Sequence, residues 1–176
     1  MMKRGCDIIG LPVISLDEGC KTFEIKDIIY CNQNLKVTAF LVHEGGYFHE
    51  PMVVYFEHVK NIGENAVTIQ NDTSIKRIKY SMSQLQSREK LLGLEVITDD
   101  GKHVGTVQDI MIEIGNGRLL GLILTEGLFD DLVEGRSILP FLQSFTIHQD
   151  AIIITSSISA SILQGTGGLK NLLSLE

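Results

Sequence analysis

The sequence predicts an all-β fold: two tandem small antiparallel β-barrels of about six strands each, joined by a short linker or helix and followed by a short helical tail. Three observations carry that expectation. Between Leu91 and Glu126, three short apolar runs are separated by two polar, glycine-bearing turns. The same order of runs and turns occurs once earlier in the chain, in a more worn form. Turn signals recur at the short, regular spacing of small closed sheets, whose closure removes exposed strand edges.

In the later stretch, Leu94, Val96 and Ile97 lead into Thr98-Asp99-Asp100-Gly101. An Asp-Gly pair between apolar runs is a hairpin signal, because tight primed turns need positive φ at both central residues. From Val107 to Ile114 apolar and polar residues largely alternate, as in a strand with one buried face. Gly115-Asn116-Gly117 makes the next turn. Arg118 to Leu124 is nearly continuous in apolar residues, as expected of a strand packed on both sides. The strands of this copy are expected near 94–98, 103–114, 118–125, 136–139, 144–147 and 151–156.

The earlier copy aligns with it at a nearly constant offset. Ile9 to Ile14 matches Leu92 to Ile97 at offset 83, and Asp17-Glu18-Gly19 matches Asp99-Asp100-Gly101 at offset 82. Phe23 to Ile29 matches Gly105 to Met111, and Asn34 to Val42 matches Asn116 to Leu124. Ala66 to Ile69 matches Ala151 to Ile154 at offset 85. A match through strands and turns at this period indicates two copies of a whole small domain, not a solenoid. The expected division is 1–80 for the divergent copy, 81–90 for the linker, 91–157 for the second copy and 158–176 for the tail. The linker carries Met82 and Leu85 with Ser81 or Ser83 as an N-cap candidate, which suits a short helix or an ordered connection. In the tail, Ile158, Ile162 and Leu163, then Leu169, Leu172 and Leu173, have helical spacing around three glycines. The plainer reading is a frayed tail or a helix on its own barrel. The sharper one is a docking peptide.

Hydrophobic residues make up 44% of the chain, enough for a packed core. No apolar run approaches the roughly 18–20 residues of a membrane span, and the N-terminus lacks a signal peptide's apolar region. Cys6, Cys20 and Cys31 are an odd set without export signals, so reduced thiols and a cytoplasmic location are expected. Net charge is −7 and uneven: residues 1–80 hold 9 basic and 10 acidic residues, residues 81–176 hold 6 and 12. That balance disfavours nucleic acid as a partner, because backbone phosphates call for a basic surface. Lys76-Arg77-Ile78-Lys79 is the one local basic cluster singled out.

Reactive constellations are sparse. Asp27 and Asp109 hold the same place in the two copies, but they belong to separate domains. Bonding to backbone is the better account of them than acid–base work. The Asp-Glu-Gly and Asp-Asp-Gly turns lack the alternating ligands and distal glutamate of a calcium loop. His43, His49, His58, His103 and His148 show no tight ligand spacing, and the cysteines form no Cys-x-x-Cys pair, so no metal is expected. There is no nucleophile elbow, P-loop or dinucleotide fingerprint, hence no cofactor and no enzymatic activity is expected. The candidate interaction surface combines Tyr47 and His49 in the 43–52 loop, Glu126, Phe129, Asp130, Asp131 and Glu134 in the 126–136 loop, and Leu169, Leu172 and Leu173 in the tail. Aromatic residues beside charges suit a protein interface.

Leu92, Gly93, Val96, Asp99, Gly101, Gly105, Val107, Asp109, Arg118, Gly121 and Leu122 together resemble the PRC-barrel family. Gly10, Val13, Asp17, Gly19 and Asp27 keep part of that pattern in the first copy, where Phe23 replaces Gly105 and Ala39 replaces Gly121. The resemblance implies small β-barrels of the kind found in the photosynthetic reaction centre H subunit and a ribosome maturation factor. It also implies a non-catalytic interaction or assembly module, a scaffold or adaptor with protein partners and scope for self-association. The alternatives are a ribosome- or RNA-processing factor and a small-ligand or metal-binding protein.

Overall fold

The protein is described from a computed structural model, over residues 1–43, 50–79, 84–125, 137–141 and 145–156. Its described elements are strands, with 3-10 turns at Gly5–Asp7, Phe56–His58 and Asp72–Ser74. Among the described residues no helix is long and apolar enough to cross a membrane. The chain forms two compact units: Met1–Glu89 with Ile112–Leu119, and Lys90–Met111 with Leu120–Glu176.

The first unit holds β1 (Met2–Arg4), β2 (Pro12–Ser15), β3 (Cys20–Glu24), β4 (Asp27–Cys31), β5 (Lys36–His43), β6 (Met52–Tyr55), β7 (Val59–Ile62), β8 (Val67–Ile69) and β9 (Ile75–Arg77). β2 to β9 form two four-stranded sheets, ordered β3-β2-β8-β7 and β4-β5-β6-β9. Alternation sets the inward face: in β2 Val13 and Ser15 are buried while Pro12 and Ile14 are only half-buried. Ile8, Val13, Ile25, Ile28, Phe40, Val54, Val67 and Ile69 are fully buried. Each such side chain contributes about 1.5–3 kcal/mol of transfer free energy.

The strands that follow are β10 (Glu95–Thr98), β11 (His103–Glu113), β12 (Leu119–Thr125), β13 (Ser137–Pro140), β14 (Phe145–Ile147) and β15 (Ala151–Ile154), ordered β13-β12-β11-β10-β15-β14. Each falls within two residues of its expected range. Leu91, Val96, Val107, Ile110, Leu122, Leu124, Ile152 and Ile154 are buried. β12 is buried along nearly its whole length, as its continuous apolar run requires.

The antiparallel expectation needs one correction. β2 pairs with β8, and β10 with β15, in parallel. β2 and β8 run in the same direction, as do β10 and β15, so each pair meets without a hairpin.

Local geometry recurs between the units. Gly10 and Gly93 both have φ of +82°. Gly10 N–H donates to Ile25 O and Gly93 N–H to Val107 O, each at 2.8 Å. The β2–β3 ladder has an irregularity between Val13 and Ile14, and the β10–β11 ladder has one between Val96 and Ile97. A bulge at that point bends the strand and deepens its twist, which a small closed sheet needs.

Candidate interaction surface

On β4, β5 and β6 the described residues hold a second apolar row, buried along most of its length and exposed at Tyr55. Residues paired directly across a sheet share a face. Asp27 pairs with Leu41 and Ile29 with Ala39. Leu41 in turn pairs with Val53, and Ala39 with Tyr55. Ile28, Phe40 and Val54 form the opposite, core-facing row. The outer row is therefore apolar too. Ile29, Ala39, Leu41 and Val53 form a buried cluster with Ile78, and Leu85 packs half-buried against it. Tyr55 stays 37% exposed at the other end of that row, its ring edge-on to His58 at 6.0 Å.

Leu85 arrives there because residues 86–89 lie along the free edge of β4. Tyr30 N–H donates to Gln86 O at 3.1 Å, and Arg88 N–H to Ile28 O at 2.9 Å. Ile29 and Ser87 form an antiparallel bridge. Ser87 is buried. These residues fall inside the expected linker, and their extended pairing with β4 is a feature the linker's polar composition did not signal.

Asp27 closes the arrangement. Its Oδ1 accepts Ile28 N–H at 2.7 Å and Glu89 N–H at 3.2 Å. The residue is 2% exposed, and among the described residues its Oδ2 has no hydrogen-bond partner. Asp109, 3% exposed, repeats the first of these bonds by accepting Ile110 N–H at 2.8 Å. Both carboxylates thus serve backbone amides, from within strands rather than turns. Burial, and then the negative charge of Asp27, push the Tyr30 phenol up to about 12. Among the described residues the Tyr30 hydroxyl also has no hydrogen-bond partner. This Asp27–Tyr30 pair was not singled out from sequence, since a tyrosine in the run Asp27–Cys31 reads as ordinary core.

The turns are structural as well. Asp17 accepts Gln70 Nε2 at 2.5 Å and Asn71 Nδ2 at 3.2 Å. Its counterpart Asp99 accepts Ser156 N–H at 2.9 Å. Each ties a hairpin turn to the chain just after the strand that pairs in parallel with β2 or β10. The Thr98 hydroxyl donates to Asp100, and that bond holds the Asp100 carboxyl below its ordinary range. Cys6 and Cys20 are exposed and Cys31 half-buried, all three unbridged. Among the described residues no three His, Cys, Asp or Glu side chains converge on a common point. Tyr47, His49, Glu126, Phe129, Asp130, Asp131, Glu134, Leu169, Leu172 and Leu173 lie outside the described residues.

These features define a small all-β barrel protein whose shared elements are turns, bulges and buried apolar rows. Residues 86–160 match the family model described as PRC-barrel domain, and that part of the chain is a PRC-barrel domain. No curated protein matches the chain.

Proposed function

We propose that this is a non-catalytic cytoplasmic protein-interaction module, a scaffold or adaptor built from two PRC-like barrels that arose by tandem duplication. The observation that supports it most is the use made of the two matching carboxylates. Asp27 and Asp109, the best-placed reactive groups, are buried and engaged with backbone amides. The matching glycines, bulges and parallel strand pairs of the two units support duplication, because unrelated sheets have no reason to share all three.

The partner is a protein rather than a nucleic acid, because the chain carries −7 overall. Affinity capture from the native organism, read by mass spectrometry, tests the reading. Full-length protein and a form ending at Ser157 are compared. The same stoichiometric partner recovered in repeated captures is the expected result. Its loss on truncation assigns the contact to the tail, and its retention assigns it to the barrels. No reproducible partner, together with a turnover activity in the purified protein, would overturn the proposal.

A further inference from the structure

We infer that Asn116 is a self-modification site: its side-chain amide is lost to attack by the Gly117 nitrogen, and the product unfastens the turn that residues 113–119 bring to the first unit. This goes beyond the interaction reading and does not rest on it. Asn116-Gly117 is the sole Asn-Gly pair in the sequence. Asparagine deamidates where the next residue's amide nitrogen can reach its side-chain carbonyl carbon, and a glycine there has no side chain to block the approach. Asn116 is exposed, so water reaches the ring that forms. Asn34-Leu35 holds the matching turn and is exposed at Asn34 as well, but a branched leucine follows it. The first copy thus carries a hindered pair where the second carries a reactive one.

The Gly117 nitrogen gives up its proton to solvent base and forms a bond to Cγ of Asn116. The Cγ–Nδ2 bond breaks and ammonia leaves. Water then opens the cyclic imide at either carbonyl, giving aspartate or isoaspartate. Each conversion consumes a water and releases an ammonia, with no oxidant or reductant. In the closed turn the reacting groups are occupied. Gly117 N–H donates to Glu113 O at 2.9 Å, Asn116 Nδ2 donates to Glu113 Oε2 at 2.7 Å, and Asn116 Oδ1 accepts Arg118 N–H at 2.9 Å. Ring closure therefore waits on local release of the Gly117 amide. Either product keeps the turn from closing as before. Aspartate sets a carboxylate oxygen against the Glu113 carboxylate where a donor stood. Isoaspartate adds a carbon to the main chain just before Gly117, whose O accepts Val37 N–H at 2.8 Å and whose Cα sits against the Phe56 ring.

In the test, full-length protein is held in mildly alkaline buffer with and without urea, and each asparagine is followed by peptide mass spectrometry. Asn116 converts ahead of Asn34 and Asn65, and urea sufficient to open the turn speeds it about tenfold or more. Converted protein, separated and still folded, unfolds at lower urea than unaged protein, and so does Asn116→Asp. Asn116 still intact when Asn34 or Asn65 has converted would overturn the inference. So would an Asn116 rate that urea leaves unchanged, or converted protein with the unaged midpoint. If Asn116→Asp fails to fold, the converted wild type decides, because it was folded when ageing began.

Discussion

At Gly117 the backbone has φ of +71°, and an added Cβ would lie 3.0 Å from the Phe56 ring. Leu35 holds the matching turn position with φ of +51°. Val37 N–H donates to Gly117 O and Leu119 N–H to Leu35 O, both at 2.8 Å, so the two turns bond reciprocally. Their tolerance differs all the same. Gly117→Leu meets both left-handed strain and the ring, and should cost about 2–3 kcal/mol in urea denaturation. Leu35→Gly relieves strain but frees the unfolded chain, and should stay within about 0.5 kcal/mol of wild type. Tyr30 gives a second test. Its pKa is raised in the fold to about 12 from an ordinary 10.0, so the folded state holds the proton more tightly. The associated stability is fully present below pH 10 and is lost as pH rises toward 12. Asp27→Asn removes one of the two causes, and ultraviolet titration should show Tyr30 ionising earlier, though still above its ordinary value because burial remains.

Among the strands, β10 offers the cleanest reading of alternation. Val96 is fully buried and its neighbour Ile97 only half-buried. Val96→Ala should cost about 2–3 kcal/mol, and Ile97→Thr less than about 1 kcal/mol, measured as shifts in denaturation midpoint. Equal effects would mean that the period-2 face assignment is mistaken. Pattern length is why the second half was so legible: His103–Glu113 is long enough to show a period, Leu119–Thr125 shows as a continuous apolar run, and Asp-Gly and Gly-Asn-Gly mark their ends. β1 and β9, at three residues each, are too short to show one. The parallel pairing of β10 with β15 was equally hidden, because it joins segments more than fifty residues apart and depends on closure of the whole sheet. The 86–89 edge strand escaped notice for another reason. Its binding information lies in main-chain amides, which composition does not reveal, and only Leu85 hints at a buried side.

Across the whole molecule the acidic excess is the governing property. With a net charge of −7 and an isoelectric point near 5.2, the protein should show no detectable binding to duplex DNA or single-stranded RNA in fluorescence anisotropy at physiological salt. Saturable binding that weakens steeply with salt would contradict this. The backbone bonding of Asp27 and Asp109 was foreseeable from their repeated positions. The buried cluster on β4, β5 and β6 was not, since it also takes in Ile78 and Leu85, which no local pattern joins.

The reciprocal bonding at Leu35 and Gly117 also bears on how the gene can be dissected. Ile112–Leu119 belongs to the first compact unit although it is encoded far downstream of Glu89. A stop codon after Glu89 would leave Val37 N–H and Leu35 O without their partners and remove Gly117 from beside Phe56. A library of N-terminal fragments would therefore yield sticky, poorly expressed pieces even where the cut respects the apparent repeat boundary. The reading frame divides into two halves more readily than the folded chain does.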